Sequence, residues 1–156
     1  VSPYGKSKLV VEREIKKNST EYGIDAISLR MFNVFGVGQN EKYYGVVFRF
    51  IENVSKDLPM VINGDGEQTR DFIGIVDIVE AFNCAIKNIQ GKRGDVYNIG
   101  TGESITINEL VKMILKISGK KIKVENKNQN KNERYNNTTK KIILLNKNRK
   151  TRRKIT

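Results

Sequence analysis

The stretch Ser2-Pro3-Tyr4-Gly5-Lys6-Ser7-Lys8 opens the chain with a tyrosine and a lysine four residues apart. Apolar and charged side chains then alternate with helical spacing, which predicts an amphipathic helix over residues 5–20. On a helix Tyr4 and Lys8 share one face, and a positive charge beside a phenol stabilises the phenolate. The pair is therefore a candidate general acid/base, although this spacing also occurs by chance. The apolar stripe of the predicted helix comprises Leu9, Val10, Val11 and Ile15.

Strand and helix patterns alternate through the rest of the chain, which predicts an α/β or α+β fold. Strands are predicted at 24–30, 60–63, 71–76 and 96–100, helices at 46–56, 78–89 and 107–118, and a glycine-containing loop at 33–45. Asp77 is the predicted cap of the helix at 78–89. Thr106 and Glu109 form the pattern of a capping box at the start of the helix at 107–118. Ile122 and Val124 indicate a last short strand.

The net charge of +12 lies entirely at the end of the chain. Residues 1–119 contain 15 Lys or Arg and 15 Asp or Glu, whereas residues 120–156 contain 14 basic residues and only two acidic ones. This composition predicts a basic, disordered or frame-shifted tail over 126–156. A tail that binds nucleic acid is an alternative. It is not favoured, because Tyr135 is the only aromatic residue there.

Several kinds of protein are excluded by composition. The 156 residues include one cysteine, Cys84, and no histidine, which excludes an internal disulfide, a Cys/His zinc site and histidine chemistry within this chain. No metal is therefore expected, and Cys84 is predicted to be a small core residue. The sequence has no apolar run of about 18 residues and no visible signal peptide, so we expect a cytoplasmic protein. A start inside a helix pattern, without Met, predicts a fragment of a longer protein.

Four motifs occur in a fixed order, and together they carry a family resemblance. They are Ser2–Lys8, Leu29–Gly36 (Leu-Arg-Met-Phe-Asn-Val-Phe-Gly), Gly64–Phe72 (Gly-Asp-Gly-Glu-Gln-Thr-Arg-Asp-Phe) and Val96–Gly102 (Val-Tyr-Asn-Ile-Gly-Thr-Gly). From Ser2 to about Ile122 the chain resembles the C-terminal half of the extended short-chain dehydrogenase/reductase family. The most similar members are NAD-dependent nucleotide-sugar epimerases and dehydratases, above all UDP-glucose 4-epimerases.

The resemblance implies the fold and its division into domains. Residues 1–35 would end an NAD-binding Rossmann domain, with the Tyr-x-x-x-Lys helix and the following strand. Residues 36–125 would form mainly the small α/β substrate-binding domain, and 126–156 the basic tail.

The resemblance also implies the site residues. Tyr4 matches the catalytic tyrosine, and Lys8 the lysine that holds the nicotinamide ribose and tunes that tyrosine. Phe32 matches the position beside the nicotinamide end of NAD. Asn33 and Arg70 match residues that bind the diphosphate of a nucleotide sugar, which suits a planar guanidinium. Val46 and the stretch 61–63 match the lining of the nucleotide pocket.

Other polar and glycine-rich positions are interpreted as structural. Asp71 is expected to form local hydrogen bonds. Gly64-Asp65-Gly66 is expected to be a tight turn that directs Arg70 inward. Gly100-Thr101-Gly102 is expected to be a strand-to-loop turn, since it lacks the context of a dinucleotide-binding glycine motif.

The function implied is that of an isomerase of nucleotide-sugar metabolism, an NAD-dependent 4-epimerase of UDP-sugars that works through a 4-keto intermediate. The family's glycine-rich NAD motif and catalytic Ser/Thr would precede Val1, so this chain alone is expected to be inactive. A 4,6-dehydratase or reductase of the same family is the alternative, and a non-catalytic basic binding protein is a second one. The family often dimerises through the helix that carries the tyrosine and the helix next to it, so a homodimer is an expectation for the full-length enzyme, while the oligomeric state of this chain is left open.

Overall fold

The computed structural model describes residues 2–39 and 45–127, together with the backbone of 142–144. The helices are α1 Pro3–Tyr22, α2 Val46–Ser55, α3 Ile75–Lys87 and α4 Ile107–Ser118. The strands are β1 Ala26–Met31, β2 Asn33–Phe35, β3 Met60–Asn63, β4 Thr69–Arg70, β5 Phe72–Gly74, β6 Arg93–Gly100, β7 Ile105–Thr106, β8 Val124–Lys127 and β9 Ile142–Leu144. Parallel strands joined through helices confirm the predicted α/β class.

The first layer is a parallel sheet with strand order β1-β6-β9. β1 pairs with β6 from Ala26 opposite Arg93 to Met31 opposite Ile99. Helix α1 packs so closely on β6 that a Cβ added at Gly94 would lie 2.5 Å from the Cα of Lys16. The core here is formed by Ile73, Ile78, Ala81 and Ile99, which pack with the partly buried Leu29, Val34 and Tyr97.

A second hydrophobic core lies between helices α2 and α4 and strand β3. Seven buried side chains form its core: Phe50, Val54, Met60, Ile62, Ile107, Leu110 and Val111. β3 pairs in parallel with β8, from Met60 opposite Val124 to Asn63 opposite Lys127. The last predicted strand is thus present, and it runs two residues past the predicted boundary at 125. Residues 128–141 and 145–156 of the predicted tail lie outside the described residues.

Three local predictions need correction. Helix α3 begins at Ile75 with Gly74 as its N-cap, so the predicted strand over 71–76 ends early and Asp77 is not the cap. Asp77 lies in the first turn instead, where a negative charge still complements the helix dipole. The predicted loop at 33–45 contains β2, because these residues pair in parallel with β5. Residues 40–44 of that loop lie outside the described part.

Several apolar side chains of the predicted helices are exposed. Leu9, Val10 and Val11 of α1 are exposed by 39%, 55% and 52%, while Ile15 is half-buried. Ile51 of α2 is exposed as well, and so is Cys84, which is therefore not a core residue. The hydrophobic pattern identified these helices correctly, but it could not tell which apolar face the chain covers. On α3 the exposed apolar residues are Ile75, Val76, Val79, Phe82 and Ile86.

The described residues contain neither a candidate membrane-spanning helix nor a candidate metal-binding cluster. No helix there is long and apolar enough to cross a membrane. No group of three or more His, Cys, Asp or Glu side chains in residues 2–39 and 45–127 is arranged to hold a metal ion.

The capping box of α4 forms as predicted, and it gives a direct test of the fold. The Thr106 hydroxyl accepts a hydrogen bond from Glu109 N at 3.0 Å, and Glu109 Oε2 accepts one from Thr106 N at 2.7 Å. We expect Thr106→Ala to lower the free energy of unfolding by about 1 kcal/mol, because a helix N–H loses its partner. Urea unfolding measures this. Thr20→Ala, in the exposed last turn of α1, is the control and should not destabilise the chain; equal loss in both variants would contradict the assignment.

Candidate active site

The start of α1 fixes where Tyr4 and Lys8 lie. The Ser2 hydroxyl accepts a hydrogen bond from Gly5 N at 3.1 Å, and Pro3 occupies the first turn, where its missing N–H is not needed. The helix therefore begins at Pro3 and carries Tyr4 and Lys8 on consecutive turns. The Lys8 ammonium lies 5.3 Å from the centroid of the Tyr4 ring, within the range of a cation–π contact. The Tyr4 side chain is open to solvent, with 71% of the residue exposed.

The direction of α1 places this pair at one edge of the sheet. Lys16 packs over Gly94, near the start of β6, whereas Glu12, one turn earlier, reaches Arg30 near the end of β1. The helix thus runs antiparallel to both strands. Tyr4 lies eight residues before Glu12, about 12 Å further along the helix axis. The Tyr4–Lys8 pair therefore lies towards the carboxyl ends of β1 and β6, where ligands of parallel α/β sheets bind.

Phe32 lies at the same edge, directly after β1. Its N–H donates a hydrogen bond to Ile99 O at 3.0 Å, which joins it to the end of β6. A Cβ added at Gly100 would lie 2.6 Å from Phe32 Cδ2 and 2.6 Å from Asp71 Oδ2. Only glycine fits here without displacing one of these groups. The absence of a side chain at Gly100 thus lets the Phe32 ring and the Asp71 carboxylate approach the strand end.

Asn33 and Val46 line the same pocket, which has a volume of about 160 Å³. Asn33 begins β2, and both its N–H and its Nδ2 donate to Asp71 O, at 3.2 and 2.9 Å. Val46 begins α2, which follows the residues that the structure leaves undescribed. The sequence analysis assigned no role in the site to the other residues that line the pocket, Val34, Phe35, Gln39, Gly45, Val47 and Phe72. This pocket depends on the pairing of β2 with β5, which no local pattern predicts.

Arg70 does not line that pocket. It is, however, the chain neighbour of Asp71, whose carbonyl accepts hydrogen bonds from the pocket residue Asn33. Arg70 is half-buried in β4, and its Nη1 donates to Thr69 O at 2.8 Å. No carboxylate in the described part of the chain forms an ion pair with it. It precedes Asp71, whose carbonyl holds Asn33, so the two predicted phosphate-binding residues are joined through one peptide segment.

Residues 64–66 before Arg70 form a tight turn, as predicted. The stretch 61–63 is not among the residues that line the pocket of Asn33. Gly64 and Gly66 have φ values of 86° and 77°, which favour glycine, and Asp65 Oδ1 accepts from Glu67 N at 3.0 Å. Ile62 lines a second, more open pocket of about 520 Å³ together with residues of α4. The turn at 100–102 also follows the end of β6 as predicted.

Asp71 is the buried polar residue that joins these parts. It is 5% exposed. Its carboxylate accepts hydrogen bonds from Thr101 N at 3.0 Å, Thr101 Oγ1 at 2.7 Å and Gly102 N at 2.9 Å. The predicted structural role is correct, but these partners are thirty residues away in sequence rather than local. No spacing rule could have found them.

A scan against family models matches residues 1–100 to the NAD dependent epimerase/dehydratase family. The chain belongs to this family. Among curated proteins, a dTDP-4-dehydro-6-deoxyglucose reductase of Escherichia coli is 39% identical over 112 residues, covering 71% of this chain and 35% of that protein. A putative UDP-glucose 4-epimerase of Methanocaldococcus jannaschii is 40% identical over 115 residues, covering 73% of this chain and 36% of that protein.

Solved structures of family members share the fold. The UDP-N-acetylglucosamine 4-epimerase of Methanobrevibacter ruminantium, in complex with UDP-N-acetylmuramic acid, aligns with a TM-score of 0.78 and 34% identity. The match covers 85% of this chain and 42% of that one. A UDP-glucose 4-epimerase of Thermotoga maritima with UDP-glucose aligns with a TM-score of 0.78 and 33% identity, covering 92% and 44%. The chain spans about a third of the length of the two curated relatives named above. The fold is the predicted combination of a Rossmann part and a smaller α/β part.

The ion pair that fixes α1 on β1 gives a test with a defined pH dependence. Arg30 Nε donates to Glu12 Oε1 at 2.7 Å and Nη2 to Oε2 at 2.5 Å. These hydrogen bonds to Arg30, with its positive charge, lower the pKa of Glu12 below its ordinary value of 4.5. A carboxyl with a lowered pKa stabilises the fold above its unfolded-state pKa, and that contribution disappears as the pH falls through the folded-state value.

We therefore expect Glu12→Gln to be less stable than the unmodified chain near neutral pH. The difference in the free energy of unfolding should shrink below pH 4.5, where Glu12 becomes protonated. Chemical unfolding at a series of pH values measures it. Glu14→Gln on the same helix is the matched control, since Glu14 forms no ion pair in the described residues. A difference that does not depend on pH would argue against the ion pair as the cause.

Proposed function

We propose that this chain forms the catalytic and substrate-binding part of an NAD-dependent 4-epimerase that acts on a UDP-sugar. The observation that carries the proposal is the Lys8 ammonium, 5.3 Å from the Tyr4 ring at the carboxyl edge of β1 and β6. A phenol and an ammonium fixed in this way can take up and return a proton of a sugar hydroxyl. The family membership supports the same chemistry, and both solved relatives named above are 4-epimerases.

The residues at the carboxyl edge fit a nicotinamide cofactor. Lys8 offers an ammonium to ribose hydroxyls, and Phe32 offers an aromatic ring at the strand end where Gly100 leaves room. A UDP-glucuronic acid 4-epimerase of Bacillus cereus, 34% identical with a TM-score of 0.73, is solved in complex with NAD. When bound, NAD would supply hydride transfer from and back to the sugar, with Lys8 and Phe32 as the residues that would hold it.

The chain's own residues perform the proton transfer and hold the substrate. Tyr4 as phenolate accepts the proton of the 4-hydroxyl and later returns it, so it serves as base and then as acid. Lys8 stabilises the phenolate between these steps. The Asn33 amide and the Arg70 guanidinium bind the diphosphate, while Val46 lines the adjoining pocket. The sugar passes through a 4-keto form that rotates before it is reduced on the other face.

A 4,6-dehydratase or a reductase is the second candidate, and particular relatives favour it. The reductase of Escherichia coli is one, and a human dTDP-D-glucose 4,6-dehydratase, 32% identical over 116 residues, is another. Relatives with all three activities match the region that contains Tyr4 and Lys8, so these two residues do not separate the reactions. Product analysis does: an epimerase returns a sugar of equal mass, whereas a dehydratase releases water.

Two further expectations remain proposals. A homodimer through α1 is supported by its exposed apolar residues Leu9, Val10 and Val11. A cytoplasmic location remains a prediction from the sequence. A binding function of the basic tail has no support from the described residues, since most of the tail lies outside them.

The catalytic assignment is tested in a completed protein, defined as this chain joined behind the preceding part of the Methanocaldococcus jannaschii relative. Tyr4→Phe removes the phenolic proton and keeps the ring. We expect kcat for UDP-glucose epimerisation to fall by about 10²–10⁴, the usual contribution of general acid/base catalysis. Tyr22→Phe, an exposed tyrosine at the other end of α1, is the matched control and should retain activity. A near-normal kcat for Tyr4→Phe in an active protein would remove Tyr4 as the base.

The substrate-binding assignment predicts a different kinetic change for Arg70. A phosphate contact is present in both the bound substrate and the transition state, so Arg70→Ala should mainly raise KM and leave kcat nearly unchanged. Steady-state kinetics of the completed protein with UDP-glucose measure both constants. Arg13→Ala, which removes an exposed arginine of α1, is the control. A fall in kcat at constant KM would place Arg70 at the reacting centre instead.

A further inference from the structure

Asp71 adjoins three of the predicted ligand-binding residues, Phe32, Asn33 and Arg70, yet it has no assigned role beyond structure. Its carboxylate is buried and accepts three hydrogen bonds from the turn after β6, at Thr101 and Gly102. A buried carboxylate needs such donors, because no basic side chain in the described residues forms an ion pair with it. The carboxylate therefore anchors Asp71 to the turn that follows β6 in the β1-β6-β9 sheet.

The backbone of the same residue holds the predicted substrate ligands. Asp71 O accepts from both the N–H and the Nδ2 of Asn33, so it fixes the backbone and the side chain of Asn33 together. Arg70 is the preceding residue and shares the peptide bond. One anchored residue thus sets the positions of an amide and a guanidinium that come from strands far apart in sequence.

The packing around the anchor leaves little freedom. A Cβ at Gly100 would lie 2.6 Å from the Asp71 carboxylate and from the Phe32 ring, so the carboxylate lies close against the strand end beside that ring. A shift of Asp71 therefore requires movement of its carbonyl and, with it, of Asn33.

We propose that Asp71 is a positioning residue that aligns Asn33 and Arg70 on the diphosphate of the nucleotide sugar. The inference rests on the proposed function, because it assumes that these two residues bind that diphosphate. Asp71 does not touch the ligand itself in this arrangement. It acts through its carbonyl and through the peptide it shares with Arg70.

The first arm of the test uses the full 156-residue chain without any ligand. Asp71→Asn keeps the size of the side chain but turns an NH2 group towards a backbone donor, at either Thr101 or Gly102. We expect the amides of Thr101 and Gly102 to exchange hydrogen faster in this variant, and that of Asn33 as well. Asp77→Asn, on the exposed first turn of α3, is the matched control and should leave these amides unchanged. Unchanged exchange in Asp71→Asn would overturn the anchoring role.

The second arm measures ligand affinity in the completed protein, with UDP-glucose and NAD as the probes. We expect Asp71→Asn to weaken UDP-glucose binding about tenfold, the scale of a lost hydrogen bond to a charged group, with NAD affinity nearly unchanged. When Asp71→Asn is combined with Asn33→Ala, the loss of UDP-glucose affinity should be less than the sum of the two single losses, because both changes disrupt the contact between Asn33 and Asp71. Asp77→Asn combined with Asn33→Ala should be additive.

The outcomes separate this inference from the proposed function. Equal UDP-glucose affinity in Asp71→Asn and the unmodified protein overturns the positioning role alone. A parallel loss of NAD and UDP-glucose binding also overturns it, since that pattern indicates general damage to the fold. If the unmodified completed protein binds NAD but not UDP-glucose, the assignment of a UDP-sugar substrate fails, and the positioning role fails with it.

Discussion

The parallel pairing of β1 with β6 is the constraint on which the rest of this structure depends. It joins two segments separated by the whole of the α2, β3 and α3 region, in register from Ala26 opposite Arg93 to Met31 opposite Ile99. Parallel strands end at the same edge, so the residues that follow each strand meet there. Phe32 and Asn33 follow β1, Gly100 ends β6 and Thr101 follows it, and Asp71 forms hydrogen bonds with Asn33 and Thr101.

Helix α1 completes that edge because of how it crosses the strands. The Lys16–Gly94 contact needs a glycine, since any Cβ would overlap the helix backbone, and the Glu12–Arg30 ion pair fixes the helix at a second point. These two contacts orient the helix so that its first turns, with Tyr4 and Lys8, lie beyond the strand ends. The Tyr4–Lys8 pair is therefore positioned by residues about two and three turns away from Tyr4.

Local signals predicted many elements well, and the reasons are physical. The helix at Ile107–Ser118 has a capping box at its start and a glycine in left-handed conformation at its end, so its boundaries are specified by neighbouring residues. The strand predicted at 60–63 runs into a glycine turn, and the structure has β3 at Met60–Asn63 with Met60 and Ile62 buried. The start of α3 was misplaced, since Asp77 suits both a cap and a first turn, and only packing selected Gly74 as the cap.

The sequence by itself determined the family, the α/β class and the residue types of the candidate site, because four ordered motifs carry them within short stretches. Only the tertiary structure decided which of these residues meet. The pocket shared by Asn33 and Val46 needs β2 to pair with β5, and the role of Asp71 needs the turn at 100–102 folded back on it. Contacts between segments thirty or more residues apart depend on sheet register and on backbone donors, which leave no periodic pattern in a sequence.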